Sequence, residues 1–189
     1  MAGSFKIGMK NLKYAIITEN AGVETWGTPK TLAPAISGKV SPIVNSATAF
    51  ADDQPLAVAN AFAGCEVELE TSLLSNTALV DLLGATKDAT KGVVSFGKND
   101  VAPNVALLFE CALDGGITQY FALLKGQFAL PEDQYNTKED NITFNGQTIK
   151  GTFIPCNKNG AWKTQIRSDA TETGTAATIT AWYTTVYTG

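Results

Sequence analysis

Apolar and polar positions along this chain fall mostly into extended segments broken by turn residues. The sharpest pattern runs through Cys65, Glu66, Val67, Glu68, Leu69 and Glu70. A period of two sends successive side chains to opposite faces of a pleated strand. Three apolar groups therefore line one face and three glutamates the other, which predicts a half-buried strand with an acidic outer surface. Residues 12–18 are β-rich and end in a polar turn at Asn20-Ala21-Gly22. Residues 36–50 read as extended and interrupted near Pro42, because proline cannot donate to a central ladder. Ala51-Asp52-Asp53-Gln54-Pro55 then breaks the strand, the proline restricting Gln54. Further strands are predicted over 93–96, 104–113, 119–130, 148–154 and 161–167. The segment 119–130 spans roughly 40 Å at strand rise, long against the usual strand of about 5–6 residues.

The pattern changes period twice. Leu79, Leu82 and Leu83 form a helical stripe, with Ser75 placed as N-cap and Gly84 as C-cap. Ile179, Trp182, Tyr183 and Val186 fall at i, i+3, i+4 and i+7, which predicts a C-terminal helix despite the threonines around them. One internal echo is visible: strand, ADDQP, strand early, and strand, PEDQ, strand late. It suggests a duplicated half-barrel.

Composition narrows the function classes. With 189 residues, the chain fits one domain, residues 1–189, with an extended arm around 42–62. At 44% hydrophobic and 17% charged it has the composition of a globular protein able to bury a core. Fourteen Lys and Arg against 18 Asp and Glu leave a net charge of −4, a poor basis for gripping phosphate, which needs clustered cations. There is no histidine, so the usual general base and the commonest metal ligand are both missing. Cys65, Cys111 and Cys156 are far apart, odd in number and without CxxC spacing. They read as reduced, buried small residues, with neither a zinc site nor a disulfide framework. The start, MAGSFKIGMK, lacks the apolar stretch of a signal peptide, and no run approaches the roughly 18 apolar residues of a membrane span. A soluble chain made in a cytoplasm is expected, and the sequon Asn141-Ile142-Thr143 reads as accidental.

Motifs with chemistry are few. Residues 92–99, GVVSFGKN, approach the phosphate-loop pattern GxxxxGK[ST], but Asn99 stands where a hydroxyl should bind magnesium. The Val93-Val94-Ser95-Phe96 interior favours strand then turn over a phosphate cradle. Asp52-Asp53 and Glu132-Asp133 are candidate metal carboxylates or acid/base pairs, but neither has a ligand-spaced partner, and both read as exposed acidic loops. The aromatics Phe121, Phe128, Tyr135, Phe144, Phe153 and Trp162 have few cations among them and read as core and interface. The Glu66, Glu68, Glu70 row is either a solvated sheet face or a carboxylate wall with a use.

Short segments in order along the chain resemble the major tail protein of long, non-contractile-tailed bacteriophages, the tail tube protein. They include Ile7-Gly8-Met9-Lys10-Asn11 with Tyr14-Ala15, Val40-Ser41-Pro42, Asn45-Ser46-Ala47-Thr48 and Ala51-Asp52-Asp53. Later ones are Val67 to Glu70, Leu82-Leu83-Gly84, Val105-Ala106-Leu107, Lys125-Gly126, Gly151-Thr152-Phe153, Trp162-Lys163, and Trp182 with Val186 and Tyr187. The resemblance implies a mainly β subunit, a sandwich or half-barrel with one packed helix and a C-terminal helix. Six such subunits would close a ring, and rings would stack into a hollow virion tube through which double-stranded DNA passes without specific binding. The implied partners are copies of the same chain and the tape measure, tail terminator and tail-tip proteins, with no membrane, cofactor, metal or catalytic residue. Asp52, Asp53, Gln54 and Pro55 would form the ring-stacking loop. Glu66, Glu68 and Glu70 are inferred to face the lumen, where carboxylates repel phosphate. Two other readings stay open: a β-sandwich module binding carbohydrate at a cell surface, and a small hydrolase using carboxylates.

Overall fold

A computed structural model describes residues 5–51, 53–132 and 146–189. The chain is mainly β, with 54% of the described residues in strands, most of them in one large antiparallel sheet. Its strands are β1 (Lys6–Asn20), β2 (Val23–Trp26), β3 (Lys30–Thr31), β4 (Ala35–Ala51), β5 (Gln54–Thr71), β8 (Val105–Leu113), β9 (Thr118–Phe128), β10 (Gln147–Ile154) and β11 (Lys163–Arg167). A small separate ribbon holds β6 (Thr86–Lys87) and β7 (Val94–Ser95), and the helices are α1 (Asn76–Leu83) and α2 (Thr175–Ala181).

The main sheet runs β2-β1-β8-β9-β10-β5-β4, with β3 beside β1 and β11 beside β9. β9 has two successive partners on one side: β10 over Lys125–Phe128, then β11 over Gln119–Leu123. The sheet curls until β1 approaches β4 with no ladder between them. A Cβ on Gly38 of β4 would lie 2.6 Å from Met9 Cε of β1, so a larger residue there would make the flexible Met9 side chain swing aside.

Curling gives the sheet an inside and an outside, and burial follows. Tyr14, Val67, Leu69, Leu107, Leu123 and Phe153 meet inside. Ala15, Ala106, Leu108, Ala122, Leu124 and Trp182 form a second cluster on the outside, beneath the C-terminal segment. β8 and most of β9 are covered on both faces, so they read as unbroken apolar runs. β5 is covered on one face from Cys65 to Glu70, and there it alternates.

α1 follows its predicted caps. Ser75 Oγ accepts from the Ala78 N–H at 3.2 Å, and Gly84 closes the helix at φ 72°. Eight residues do not hold a helix alone in water. Burial of Ala78, Leu82 and Leu83 against the inner cluster does so here. α2 is shorter than the C-terminal stripe predicted. It stops at Ala181, and the N–H groups of Trp182 and Thr184 turn to carbonyls three residues back. The stripe still identified the buried side: Trp182 is enclosed, and Tyr183 and Val186 pack on the same cluster. Threonines explain the early stop, since β-branched side chains lose rotamer freedom in a helix.

Two strand expectations are corrected. Pro42 does not interrupt its strand: β4 runs unbroken from Ala35 to Ala51, with Pro42 opposite Cys65. An edge strand tolerates a residue without an N–H because one of its sides has no ladder. The irregularity comes one residue later, where the register shifts between Ile43 and Val44. Second, the strand before Cys65 begins at Gln54, giving a hairpin of 17 and 18 residues. The late half of the suggested duplication, β9 and β10, pairs only over Lys125–Phe128 and Gly151–Ile154; Asp133, Tyr135, Phe144 and residues 137–143 lie outside the described residues.

Candidate assembly surface

The β4–β5 hairpin leaves the body of the protein as a two-stranded ribbon. Up to Pro42 and Cys65 it belongs to the sheet, with β10 paired to β5 from Cys65 to Thr71. From Gly64 towards the tip neither strand has another strand beside it among the described residues. Val44 (51%), Phe50 (69%), Leu56 (75%) and Val58 (65%) are all exposed. These are even-numbered positions on their strands, and the odd positions Asn45, Ala47, Ala49, Ala57, Ala59 and Ala61 are exposed as well, so beyond Phe62, which stacks on Trp162 at the base, the ribbon is bare on both faces among the described residues. A lone two-stranded ribbon is marginal in water, and a long apolar one with free margins is a pairing surface.

The predicted stacking residues lie at the ribbon's end. Ala51 pairs with Gln54 and Phe50 with Pro55. Asp53 and Gln54 are exposed, and Asp53 adopts φ 59°, a left-handed conformation that Asp tolerates better than most residues. Asp52 lies outside the described residues.

Glu66 and Glu68 are exposed and Glu70 half-buried, all on the outer face of β5, while Cys65, Val67 and Leu69 point inward. The face is not purely acidic, however. Register places Ser37, Lys39 and Ser41 beside the row on β4, and Thr148, Lys150 and Thr152 on β10. Lys150 Nζ stands 3.8 Å from Glu68 Oε1, and Ser37 donates to Glu70 at 3.0 Å. Three carboxylates and two ammonium groups leave this surface weakly negative and well hydrated. The cations escaped sequence reasoning because they come from strands distant in the chain; their own alternation, Ser37-Lys39-Ser41 and Thr148-Lys150-Thr152, was the available signal.

The other chemical candidates resolve into turns. In residues 92–99, β7 leads to a bend and no helix follows. The backbone donors nearby already have acceptors: Asp88 takes the N–H groups of Thr90 and Lys91, and Asp100 takes that of Gly97. Carboxylates thus stand where a phosphate would have to approach. Glu132 forms an isolated bridge to Thr148. Among the described residues no group of three His, Cys, Asp or Glu is arranged to hold a metal, and no helix is long and apolar enough to cross a membrane. Cys65, Cys111 and Cys156 are buried; burial pushes the Cys65 and Cys111 thiols up, away from the reactive thiolate.

Two buried polar centres were not anticipated. Glu110 lies on the outer face of β8, 5% exposed. It accepts from Asn11 Nδ2 at 2.8 Å and from the Tyr183 hydroxyl at 3.0 Å, with Lys10 Nζ at 3.4 Å. Asn11 has φ 54° where the β1 register shifts between Lys10 and Lys13. It therefore both makes the bulge and satisfies a buried acid. Burial first, and the Glu110 charge second, push the Tyr183 phenol up. The second centre is Glu24, which accepts from Lys125 Nζ at 2.5 Å and from the Asn157 N–H at 2.8 Å. It ties β2 and β9 to the 155–162 loop. In both the buried carboxylate is fully hydrogen-bonded by its neighbours, so these centres hold the structure in place, although Glu24 also borders a shallow cleft beside Asn157 and Val186.

No family model matches this chain, and no curated protein is measurably similar to it.

Proposed function

We propose that this protein is a non-enzymatic structural subunit that polymerises into a hollow tube, as its resemblance to phage tail tube proteins implies. The supporting observation is the β4–β5 ribbon, rich in exposed apolar side chains and, beyond Phe62, uncovered on both faces among the described residues. Such a ribbon gains the burial it lacks only from another molecule, and a projecting arm that meets a different surface on the next copy makes a heterologous contact. Contacts of that kind close into rings or propagate as filaments. The free margin of β4 offers a second contact of backbone donors and acceptors.

On this reading the protein works within a virion, in rings of six stacked into a tube, with tape measure, terminator and tail-tip proteins at its ends. The polar face around Glu66, Glu68 and Glu70 lines the channel. Its excess of carboxylate over ammonium repels a passing phosphate backbone, and the interspersed Lys39 and Lys150 keep that field mild. Negative-stain microscopy with sedimentation across a concentration series tests the proposal. Rings or hollow filaments are expected. Strict monomers at every concentration, together with glycan binding, would move the protein to the class of carbohydrate-binding modules.

A further inference from the structure

A cavity of about 250 Å³ opens where β1 approaches β4, at the base of the ribbon. Its wall is apolar, built from Met9, Val40, Leu69, Phe109, Phe121 and Leu123. Two cations stand at its exposed side. Lys6 Nζ lies 5.1 Å from the Phe121 ring centre, and Lys163 Nζ lies 5.9 Å from the same ring and 5.0 Å from that of Trp162. Neither ammonium forms an ion pair among the described residues. An apolar hole with two uncommitted cations beside it fits an apolar group that carries a carboxylate. Its volume falls below the roughly 300–1,000 Å³ of small-molecule pockets and suits one large side chain.

We infer that this cavity is the socket for the ribbon tip of a second copy of the chain, with Phe50 or Leu56 entering it and Asp53 meeting Lys6 and Lys163. This rests on the polymer reading above and adds the receiving site. The tip carries the matching chemistry: Phe50 and Leu56 are among the most exposed apolar side chains of the ribbon, and the Asp53 carboxylate lies between them in sequence. The tip does not line its own chain's cavity. It lies eight residues beyond Pro42, roughly 26 Å at about 3.3 Å per residue, so the contact must be made between copies. Each copy then has one tip and one socket, a head-to-tail arrangement without a built-in end.

The test uses full-length protein and three readouts. Lys163→Glu alone and Asp53→Lys alone should each raise the concentration needed for polymer by at least about tenfold, since like charges brought together cost several kcal/mol. Combining the two should bring it back to within about threefold of the parent. Lysine is less tolerant than Asp of φ 59° at position 53, and a glutamate at position 163 would lose the ring contacts of Lys163, so Asp53→Asn and Lys163→Gln serve as controls: each should match the melting of its charge-reversed counterpart yet raise the polymer threshold less. Mixing Leu56→Cys chains with Lys163→Cys chains under oxidising conditions should give a crosslinked pair that neither variant forms alone. Polymers that tolerate both charge reversals and yield no crosslink would overturn the socket and leave the polymer reading intact. A parent chain that never polymerises would sink both. Octanoate that stabilises the subunit in a Lys163-dependent way, with the tip variants polymerising normally, would assign the cavity to small carboxylates instead.

Discussion

Removing Lys125 while keeping Glu24 should be among the most damaging single changes available. The Glu24 side chain is completely enclosed and that of Lys125 is 8% exposed. Burial alone would raise the Glu24 pKa, but hydrogen bonds from Lys125 and from the Asn157 and Lys158 N–H groups outweigh it and hold the carboxyl below its ordinary value. Lys125 is raised by the hydrogen bond from its ammonium to Glu24, against the opposing effect of burial. The pair's stabilisation is therefore complete between the two ordinary values. It is lost as pH falls through the lowered Glu24 value below 4.5, and as pH rises through the raised Lys125 value above 10.5. Lys125→Met leaves a buried carboxylate without a counter-charge, at a cost of about 3–5 kcal/mol. In a chain of this length that lowers the melting temperature by roughly 6–20 °C, at about 2–4 °C per kcal/mol. The sign of the acid response should also reverse. With its partner gone, desolvation raises the Glu24 pKa, and protonation at low pH relieves the variant while it harms the parent. The double variant Glu24→Leu/Lys125→Met should recover most of the loss, because a buried ion pair replaced by apolar groups is often neutral. Urea unfolding followed by circular dichroism between pH 3.5 and 8 measures the size of the loss and its acid response. A loss below about 1 kcal/mol, or parallel pH curves for parent and Lys125→Met, would refute the reasoning.

Other perturbations follow from the same structure. Leu82→Ala empties a fully enclosed position beneath α1 and should cost about 2–5 kcal/mol in chemical unfolding. Asn11→Ala removes a donor to buried Glu110 and the side-chain amide that lets Asn tolerate φ 54° better than Ala; about 2–3 kcal/mol should be lost, and Asn11→Asp should not keep that stability, because a second carboxylate would face Glu110. Ala21→Asn should stabilise by up to about 1 kcal/mol in a melting comparison, since Ala21 at φ 50° and Gly22 at φ 81° form a two-residue hairpin turn that favours Asn-Gly. Replacing Glu66, Glu68 and Glu70 together by lysine should leave polymers able to form yet make them retain DNA against a salt wash; polymers that release DNA as the parent does would place those glutamates away from the channel.

The parts legible in the sequence are those where one side chain decides a local outcome. The Cys65–Glu70 alternation gave the buried and wet faces of β5 correctly, and Ser75 and Gly84 marked both ends of α1. The ribbon was only half legible. Residues 57–61, Ala-Val-Ala-Asn-Ala, show little contrast between faces because neither face meets a core there, so a period-two reading had nothing to detect; only Phe62, stacked on Trp162, touches the inner cluster. Pro42 misled because its cost depends on which side of the strand is paired, a matter of topology and not of local sequence. The Glu24–Lys125 and Glu110–Asn11 centres join residues 101 and 99 positions apart, beyond the reach of any local pattern. The cavity beside Lys6 and Lys163 is likewise a product of curling, visible only once β1 and β4 face each other.

The hydrogen bond from Ser46 Oγ to Asn60, 2.6 Å long, has a consequence out of proportion to its strength. Small, near-identical side chains on facing strands let a ladder slip by two residues at little cost, and a slipped ribbon would carry its tip a full repeat away from where a neighbour awaits it. One hydrogen-bonded rung in a stretch of mostly small side chains fixes the reach of the projection, much as a pin fixes a telescoping rod. The distance between successive molecules in a long polymer would then be set by a hydroxyl and an amide.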